Sequence, residues 1–177
     1  SEDITITMTT GSGDGVYYKI GNDIKTLVES KCSNITINVV LSNGSLLNMT
    51  RLLNKGQPPC QVGVQNEKTN KNCSADIGIV QSDVWKKNYD EYVRKAEVGF
   101  VLNLYKEEVH ILAKKSIQNI QDLIGRTVVI GPKNSGTNFT AKNILEKLNV
   151  NYKEVVEYKK ENCTENNTVY ILPKDLP

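Results

Sequence analysis

What most constrains this chain is an alternation. Short runs of β-branched and apolar residues are separated by longer stretches in which apolar residues recur every three or four positions. That order implies βαβ units, hence an α/β fold with mainly parallel sheets flanked by helices. Residues 4–8 read as a strand. Residues 15–31 read as a helix whose buried face carries Val16, Tyr17, Ile20, Ile24, Leu27 and Val28. A strand at 35–41, a helix at 44–56 ending at Gly56, and a strand at 75–81 continue the series. A helix over 82–96 follows, with Ser82 or Asp83 as its N-cap. The alternation then breaks, because 98–105 and 108–115 read as two strands in direct succession. Ser116 caps a short helix that Gly125 ends. A strand at 127–131, a turn at 135–137, a helix to about 148 and a strand near 152–158 complete the readable pattern. Beyond it the chain is polar and irregular as far as "TVYILPKDLP".

The first strand-to-helix turn, "TTGSGDGVYYKIG", places Gly11, Gly13 and Gly15 ahead of a helix. A dinucleotide fingerprint needs G-x-G-x-x-G and an acidic residue closing the second strand, but here the spacing is G-x-G-x-G and that strand ends "VVLSNGS". The G-K-[ST] of an NTP loop is also missing. What remains is the physical use of such a turn: close backbone approach to a ligand, and helix N–H groups facing an anion. The device recurs with Ser45 in "SNGSLLN" and with Ser135, Gly136 and Thr137 in "GPKNSGTNF". In an open α/β sheet such ends gather at the carboxyl edge of the strands. Together with "VQSDV" at another strand end, they point to a site for an anion or an amino acid. Any one of them alone is an ordinary capped turn.

The net charge of +2, with Lys and Glu interspersed, gives no support to nucleic-acid binding. No apolar run approaches the ~20 residues that span a bilayer. The four cysteines, Cys32, Cys60, Cys73 and Cys163, form no CxxC and none lies beside a histidine, which argues against zinc. Cys60 and Cys73 bracket a polar stretch without a core pattern. They are either a loop-closing disulfide, worth roughly 3 kcal/mol in an oxidising compartment, or two unrelated thiols. Cys32 and Cys163 pair only if the fold brings them together. Seven N-x-S/T sequons, at Asn34, Asn43, Asn48, Asn72, Asn138, Asn162 and Asn166, follow from the Asn-rich composition rather than from glycosylation. The start "SEDITIT" fits either a mature chain whose leader has been removed or a trimmed piece.

These segments resemble the TAXI-type solute-binding proteins of tripartite ATP-independent periplasmic (TRAP) transporters. The resemblance is carried by "ITMTTGSGDGVYYKIGNDI", "GSLLNMTRLLNKG", "ADIGIVQSDV", "VLNLYKEEVHILAKK" and "IQDLIGRTVVIGPKNSGTNFTAKNILEKLNV", in family order over about residues 3–155. It implies a type II periplasmic-binding-protein fold with two lobes: residues 1–113, interrupted by an insertion at 57–74, and residues 114–177 as the start of a second, incomplete lobe. It implies a periplasmic receptor, monomeric and without catalysis, metal or cofactor. Such a receptor binds a small carboxylate or amino acid such as glutamate or 2-oxoglutarate between its lobes and hands it to a membrane permease. Carried over residue by residue, the contacts are Thr10, Gly11, Ser12, Gly13 and Tyr17, then Ser45 and Asn48, then Gln81, Ser82 and Asp83. Tyr105 and Glu107 follow near the lobe junction, with Ser135, Gly136 and Thr137 from the second lobe. Backbone N–H and hydroxyl donors suit a carboxylate, and Asp83 or Glu107 suits an ammonium.

Two other functions compete with this one. A phosphate receptor of an ABC transporter also uses S-G-T at a helix start, but "GPKNSGT" offers Lys133 where an arginine is expected. A surface antigen that keeps the receptor fold without its pocket would fit the insertion and the short second lobe. An enzyme lacks support. Glu107 and Glu108 are adjacent in a strand and point to opposite faces, so they cannot flank one bond. His110, the sole histidine, reads as structural. Trp85, Tyr89 and Tyr92 read as packing residues.

Overall fold

The computed structural model describes residues 2–63, 72–88, 98–155 and 168–173. It divides into two compact units, Ser1–Leu102 and Asn103–Pro177. Both are α/β, with parallel strand pairs and flanking helices, as the alternation implies.

The first unit contains β1 (Ile4–Thr9), α1 (Val16–Lys31), β2 (Ile35–Val40), α2 (Ser45–Leu53), β3 (Ile77–Gly78) and α3 (Ser82–Asn88). Its sheet has the order β2-β1-β3 and both pairings are parallel. β1 and β2 pair along their whole length, from Ile4↔Ile35 to Thr9↔Val40. Because the chain moves from β1 to β2 in one direction and from β2 to β3 in the other, right-handed crossovers send α1 and α2 to opposite faces. The packing agrees. On the α1 face, Met8, Ile37 and Val39 form a core with Tyr18, Ile24 and Val28. On the other, Val40 packs on Cys60 and Cys73, and a Cβ on Gly78 would lie 2.9 Å from Thr9 Cγ2 and 3.2 Å from Leu52 Cδ1 of α2.

Alternate residues of β1 serve the two faces, as the two-residue period requires. Met8 and Thr10 turn toward α1, where a Cβ on Gly21 would lie 2.6 Å from Thr10 Cγ2, 3.2 Å from Val39 Cγ1 and 3.5 Å from Met8 Sδ. Glycine inside a helix weakens it, so Gly21 is there for the approach of helix to sheet. On the outer edge of β2, Lys25 Nζ donates to Ile37 O at 2.7 Å, and Glu29 Oε1 accepts from Ile37 N at 2.8 Å. Lys25 Nζ also donates to Glu29 Oε1, and this bond, ahead of the one from Ile37 N, holds the Glu29 carboxyl below its ordinary range. Whatever the pair contributes is present above that range and is lost as pH falls through it.

Cys60 and Cys73 are joined by a disulfide, and Cys32 is a free thiol. Cys163 lies outside the described residues, as do residues 64–71 of the insertion. The bridge is buried against Val40, and Cys60 N and Ser74 N bond to Ser74 O and Pro58 O, both at 2.9 Å. Replacing both cysteines by serine should cost about 3 kcal/mol. Urea unfolding of the oxidised protein against the double variant measures this, and an unchanged midpoint would refute it.

The second unit holds β4 (Val109–Leu112), a 3-10 turn at Ile120–Leu123, β5 (Thr127–Val129), α4 (Gly136–Lys147), β6 (Lys153–Val155) and β7 (Thr168–Pro173). Its sheet runs β4-β7-β5-β6; β5 pairs in parallel with β6 and β7, and β4 pairs antiparallel with β7. Leu123, Val128, Ile130, Ala141, Leu145 and Val150 form its core.

Three local expectations differ from what forms, and one strand forms that the pattern did not single out. Residues 98–105 are not a strand: Phe100, Val101, Leu102, Leu104 and Tyr105 are exposed, and among the described residues no strand pairs with them. The strand expected at 75–81 is regular only over Ile77–Gly78, because the Asp76 carboxylate takes Thr7 N at 2.8 Å in place of a ladder partner. The short helix is capped by Asn119, not Ser116. Asn119 Oδ1 accepts from Gln121 N and Asp122 N while Asp122 Oδ2 accepts from Asn119 N, a reciprocal box that a serine three residues too early cannot make. Finally, "TVYILP" is an inner strand of the second sheet.

Candidate functional site

Because β1, β2 and β3 are parallel, their carboxyl ends share one edge, and α1, α2 and α3 all start there. The chain turns from β1 to one side and from β3 to the other. The gap between those two ends is therefore the switch point where open α/β sheets bind ligands.

The ends are stitched together by polar side chains. Asn48, fully buried on the first turns of α2, donates from Nδ2 to Thr10 O at 2.6 Å and to Ile79 O at 2.7 Å. Its Oδ1 accepts from Thr9 Oγ1 at 2.7 Å. One amide thus fixes the distance between β1 and β3 across the gap. Thr10 Oγ1 donates to Val40 O at 2.9 Å. Ser42 Oγ donates to Thr10 O at 3.1 Å and accepts from Gly44 N at 2.9 Å, while Ser42 N donates to Gly11 O at 2.9 Å. Ser45 Oγ accepts from Gln81 N at 2.9 Å, tying the chain after β3 to the start of α2. Behind them Arg51, only 1% exposed, donates from Nη1 to Thr9 Oγ1 at 2.8 Å and Leu41 O at 2.7 Å. Burial pushes its pKa below the ordinary value for arginine.

In front of this lattice stands the glycine turn. Gly15 N donates to Ser12 O at 2.9 Å, and a Cβ on Gly15 would sit 2.9 Å from Ser12 Oγ. A Cβ on Gly11 would sit 3.1 Å from Tyr17 Cβ, so that glycine lets α1 start close against β1. Ser12 and Gly13 are exposed at the tip. Helix α1 is capped by Gly15 and α2 by Gly44. Neither has a side-chain cap or an acidic residue in its first turn, so no such group offsets the partial positive charge at either start. At α3 Ser82 is exposed, and Asp83 Oδ1 accepts from Val84 N at 2.9 Å.

The first unit thus brings Thr10, Gly11, Ser12, Gly13, Tyr17, Ser45, Asn48, Gln81, Ser82 and Asp83 to a single edge. Their roles divide: Thr10, Ser45 and Asn48 turn inward, whereas Ser12, Gly13 and Ser82 face solvent. Ser42 and Arg51 belong to the same network and were not singled out by the motifs. The signals for them were a small hydroxyl just before a positive-φ glycine, Gly44 at φ 110°, and an arginine on the buried side of an amphipathic helix.

In the second unit Ser135, Gly136 and Thr137 start α4 just past β5. Ser135 Oγ accepts from Asn138 N at 3.1 Å and donates to Pro132 O at 2.7 Å. Asn138 Nδ2 donates to Gly131 O at 3.0 Å, and Thr137 packs on Gly131. Tyr105 and Glu107 lie in the irregular stretch ahead of β4. Asn48 and Asn138 are buried, which rules out glycans at those two sequons. Among the described residues no group of three or more His, Cys, Asp or Glu is placed to hold a metal, and no helix is long and apolar enough to cross a membrane.

Comparison with known proteins finds one family model, described as the NMT1-like family, matching residues 8–170. No curated protein matches.

Proposed function

The chain belongs to the NMT1-like family, a periplasmic-binding-like family of solute receptors, and from that premise we propose that it is an extracytoplasmic receptor for a small carboxylate or amino acid of the glutamate or 2-oxoglutarate type. The observation that carries this reading is the pair of glycine-capped helices, α1 and α2, opening without an acidic residue on one sheet edge at its switch point. A carboxylate there would meet helix N–H groups, the backbone of Gly11–Gly13 and the Ser12 hydroxyl. Asp83, on the same edge of the first unit, would receive an ammonium. Asn48, whose polar atoms bond internally, shapes the edge rather than touching the ligand. The buried disulfide supports an oxidising compartment. Delivery to a TRAP permease, as in the TAXI group, rests on the four motifs "GSGDGVYY", "GSLLN", "GIVQSD" and "SGT". No step in this reading breaks or forms a covalent bond, so the protein is proposed as a carrier and not an enzyme.

Calorimetric titration with glutamate, 2-oxoglutarate and inorganic phosphate tests the proposal. Saturable binding of one of the two organic acids, with phosphate silent, is expected. Binding of phosphate alone would move the assignment to an oxyanion receptor, and silence with all three, after native mass spectrometry shows no co-purified ligand, would sink it. Ser12→Asp puts a negative charge on the exposed tip of the turn. It should weaken carboxylate binding by roughly tenfold to a hundredfold with no change in the melting temperature.

A further inference from the structure

The six residues of β2 read Ile35-Thr36-Ile37-Asn38-Val39-Val40. All but Asn38 are β-branched, and the strand has no charge, proline or glycine. A segment of that composition pairs readily with its own copies when its edge is open. β2 stands at the end of its sheet's order, β2-β1-β3, so the fate of its outward backbone groups matters.

Those groups can be assigned. Val40 O accepts from Thr10 N at 3.1 Å and Asn34 O accepts from Ile4 N at 2.8 Å. The even-numbered residues therefore turn their backbone groups toward β1, and the odd-numbered ones turn theirs away. Of the odd ones, Ile35 N donates to Cys32 O at 3.1 Å, within the turn that enters the strand. Ile37 lies at mid-strand, and α1 takes both of its groups. Lys25 Nζ donates to Ile37 O at 2.7 Å, and Ile37 N donates to Glu29 Oε1 at 2.8 Å. A neighbouring strand would offer the same thing, one donor and one acceptor. Lys25 and Glu29 sit one turn apart on α1 and bond to each other, so they form a single clip over the rim of the sheet. Ile37 is thus closed to a further strand by groups already bonded to it. An ion pair whose side chains are 35% and 32% exposed adds little stability by itself. Its placement is better explained by what it covers.

We propose that the Lys25–Glu29 clip guards the β2 edge, standing in for a neighbouring strand at Ile37 and so keeping β2 from pairing with the β2 of a second copy. Without the clip, two copies meet antiparallel with Ile37 opposite Ile37. Each Ile37 N–H then bonds to the other's carbonyl, which satisfies the two groups that the clip had covered. The neighbouring pairs, Ile35 with Val39 and Thr36 with Asn38, all lie within the strand. The inference rests on the rim of the first sheet and does not depend on the ligand reading.

Lys25→Ala/Glu29→Ala tests it. The change removes one charge of each sign, which leaves the net charge at +2, and alanine keeps α1 helical. The control is Lys142→Ala/Glu154→Ala, which removes another ion pair, 44% and 36% exposed, whose 3.0 Å contact joins two side chains. In sedimentation velocity over a concentration series, the first variant should self-associate roughly tenfold or more tightly than the unsubstituted chain, beginning with a species at twice 19.7 kDa. The control should match the unsubstituted chain. So should Glu29→Gln, whose amide oxygen still accepts from Ile37 N. Hydrogen exchange locates the contact: the Ile37 amide should exchange fast in the dilute first variant and slow again as it associates. Glu29→Ala alone frees only Ile37 N and should show the same changes at smaller amplitude, so a double variant that fails to fold does not end the test. No gain in association, an equal gain in the control or in Glu29→Gln, or association that leaves the Ile37 amide fast would each overturn the proposal.

Discussion

Asn48→Leu should abolish ligand binding and cost about 4 kcal/mol of stability, enough to leave the first unit largely unfolded. The side chain is fully buried and makes three hydrogen bonds, to Thr10 O, Ile79 O and Thr9 Oγ1. Leucine fills the volume but strands two carbonyls and a hydroxyl, each at a cost of about 1–3 kcal/mol. Asn48→Asp separates hydrogen bonding from volume. Its carboxylate would face the two carbonyls that now receive N–H bonds, so only the protonated acid can donate to one of them. Its folded-state pKa is therefore raised. For a carboxyl raised on folding, stability is lost as pH rises above its unfolded value of about 4 and returns as pH falls. Thermal melts of the aspartate variant should improve on acidification from neutral pH, relative to Asn48→Ala. A flat or opposite dependence would show that Asn48 does not bridge the strand ends.

The second large effect is expected at Gly21. By helix propensity, replacing a mid-helix glycine with alanine gains about 1 kcal/mol. Here the new Cβ would stand 2.6 Å from Thr10 Cγ2 with Val39 and Met8 close behind, so the helix must lift off the sheet. Gly21→Ala should therefore destabilise, by about 2 kcal/mol. Gly21→Leu, which forces the whole α1 face open over Met8, Ile37 and Val39, should cost about 4 kcal/mol. Denaturant titration of both variants checks the sign as well as the size, and a stabilising alanine would show the helix free to shift outward.

Much of this architecture is readable in the residues. The change of apolar period from two to between three and four located β1, α1, β2, α2 and α4, because each buries one face on a neighbour and the period records it. Length and pairing are harder to read. "VGFVLNLY" is as apolar as any strand in the chain, yet a strand needs a partner and the sequence does not say whether one arrives. "TVYILP" has the alternation of a strand and lies in the sheet between β4 and β5, but it follows a polar stretch that broke the rhythm. The cap at Asn119 was present in "NIQD", where the aspartate three residues on completes the reciprocal bonds. At the candidate site, motif and spacing identified the edge and its glycine turn. They could not tell which side chains face out. Asn48 and Thr10 look as ready to hold a ligand as Ser12 does, and only the depth of α2 against β1 turns them inward.

The contacts that build the carboxyl edge have a consequence in time. Thr9 reaches Asn48 across 39 residues, Asn48 reaches Ile79 across 31, and Thr7 reaches Asp76 across 69. During synthesis the first strand has nothing to pair with until residue 40 has emerged, and the edge cannot close before residue 79. Parallel sheets of such separation fold slowly, since loop closure precedes any reward from pairing. The Cys60–Cys73 bond, between cysteines 13 apart in sequence, shortens the last of these loops by bypassing the residues that separate them on the way from α2 to β3. An oxidant should therefore hasten the folding of this protein as well as stabilise the product, and a nascent chain that met its oxidant late would linger with β1 exposed.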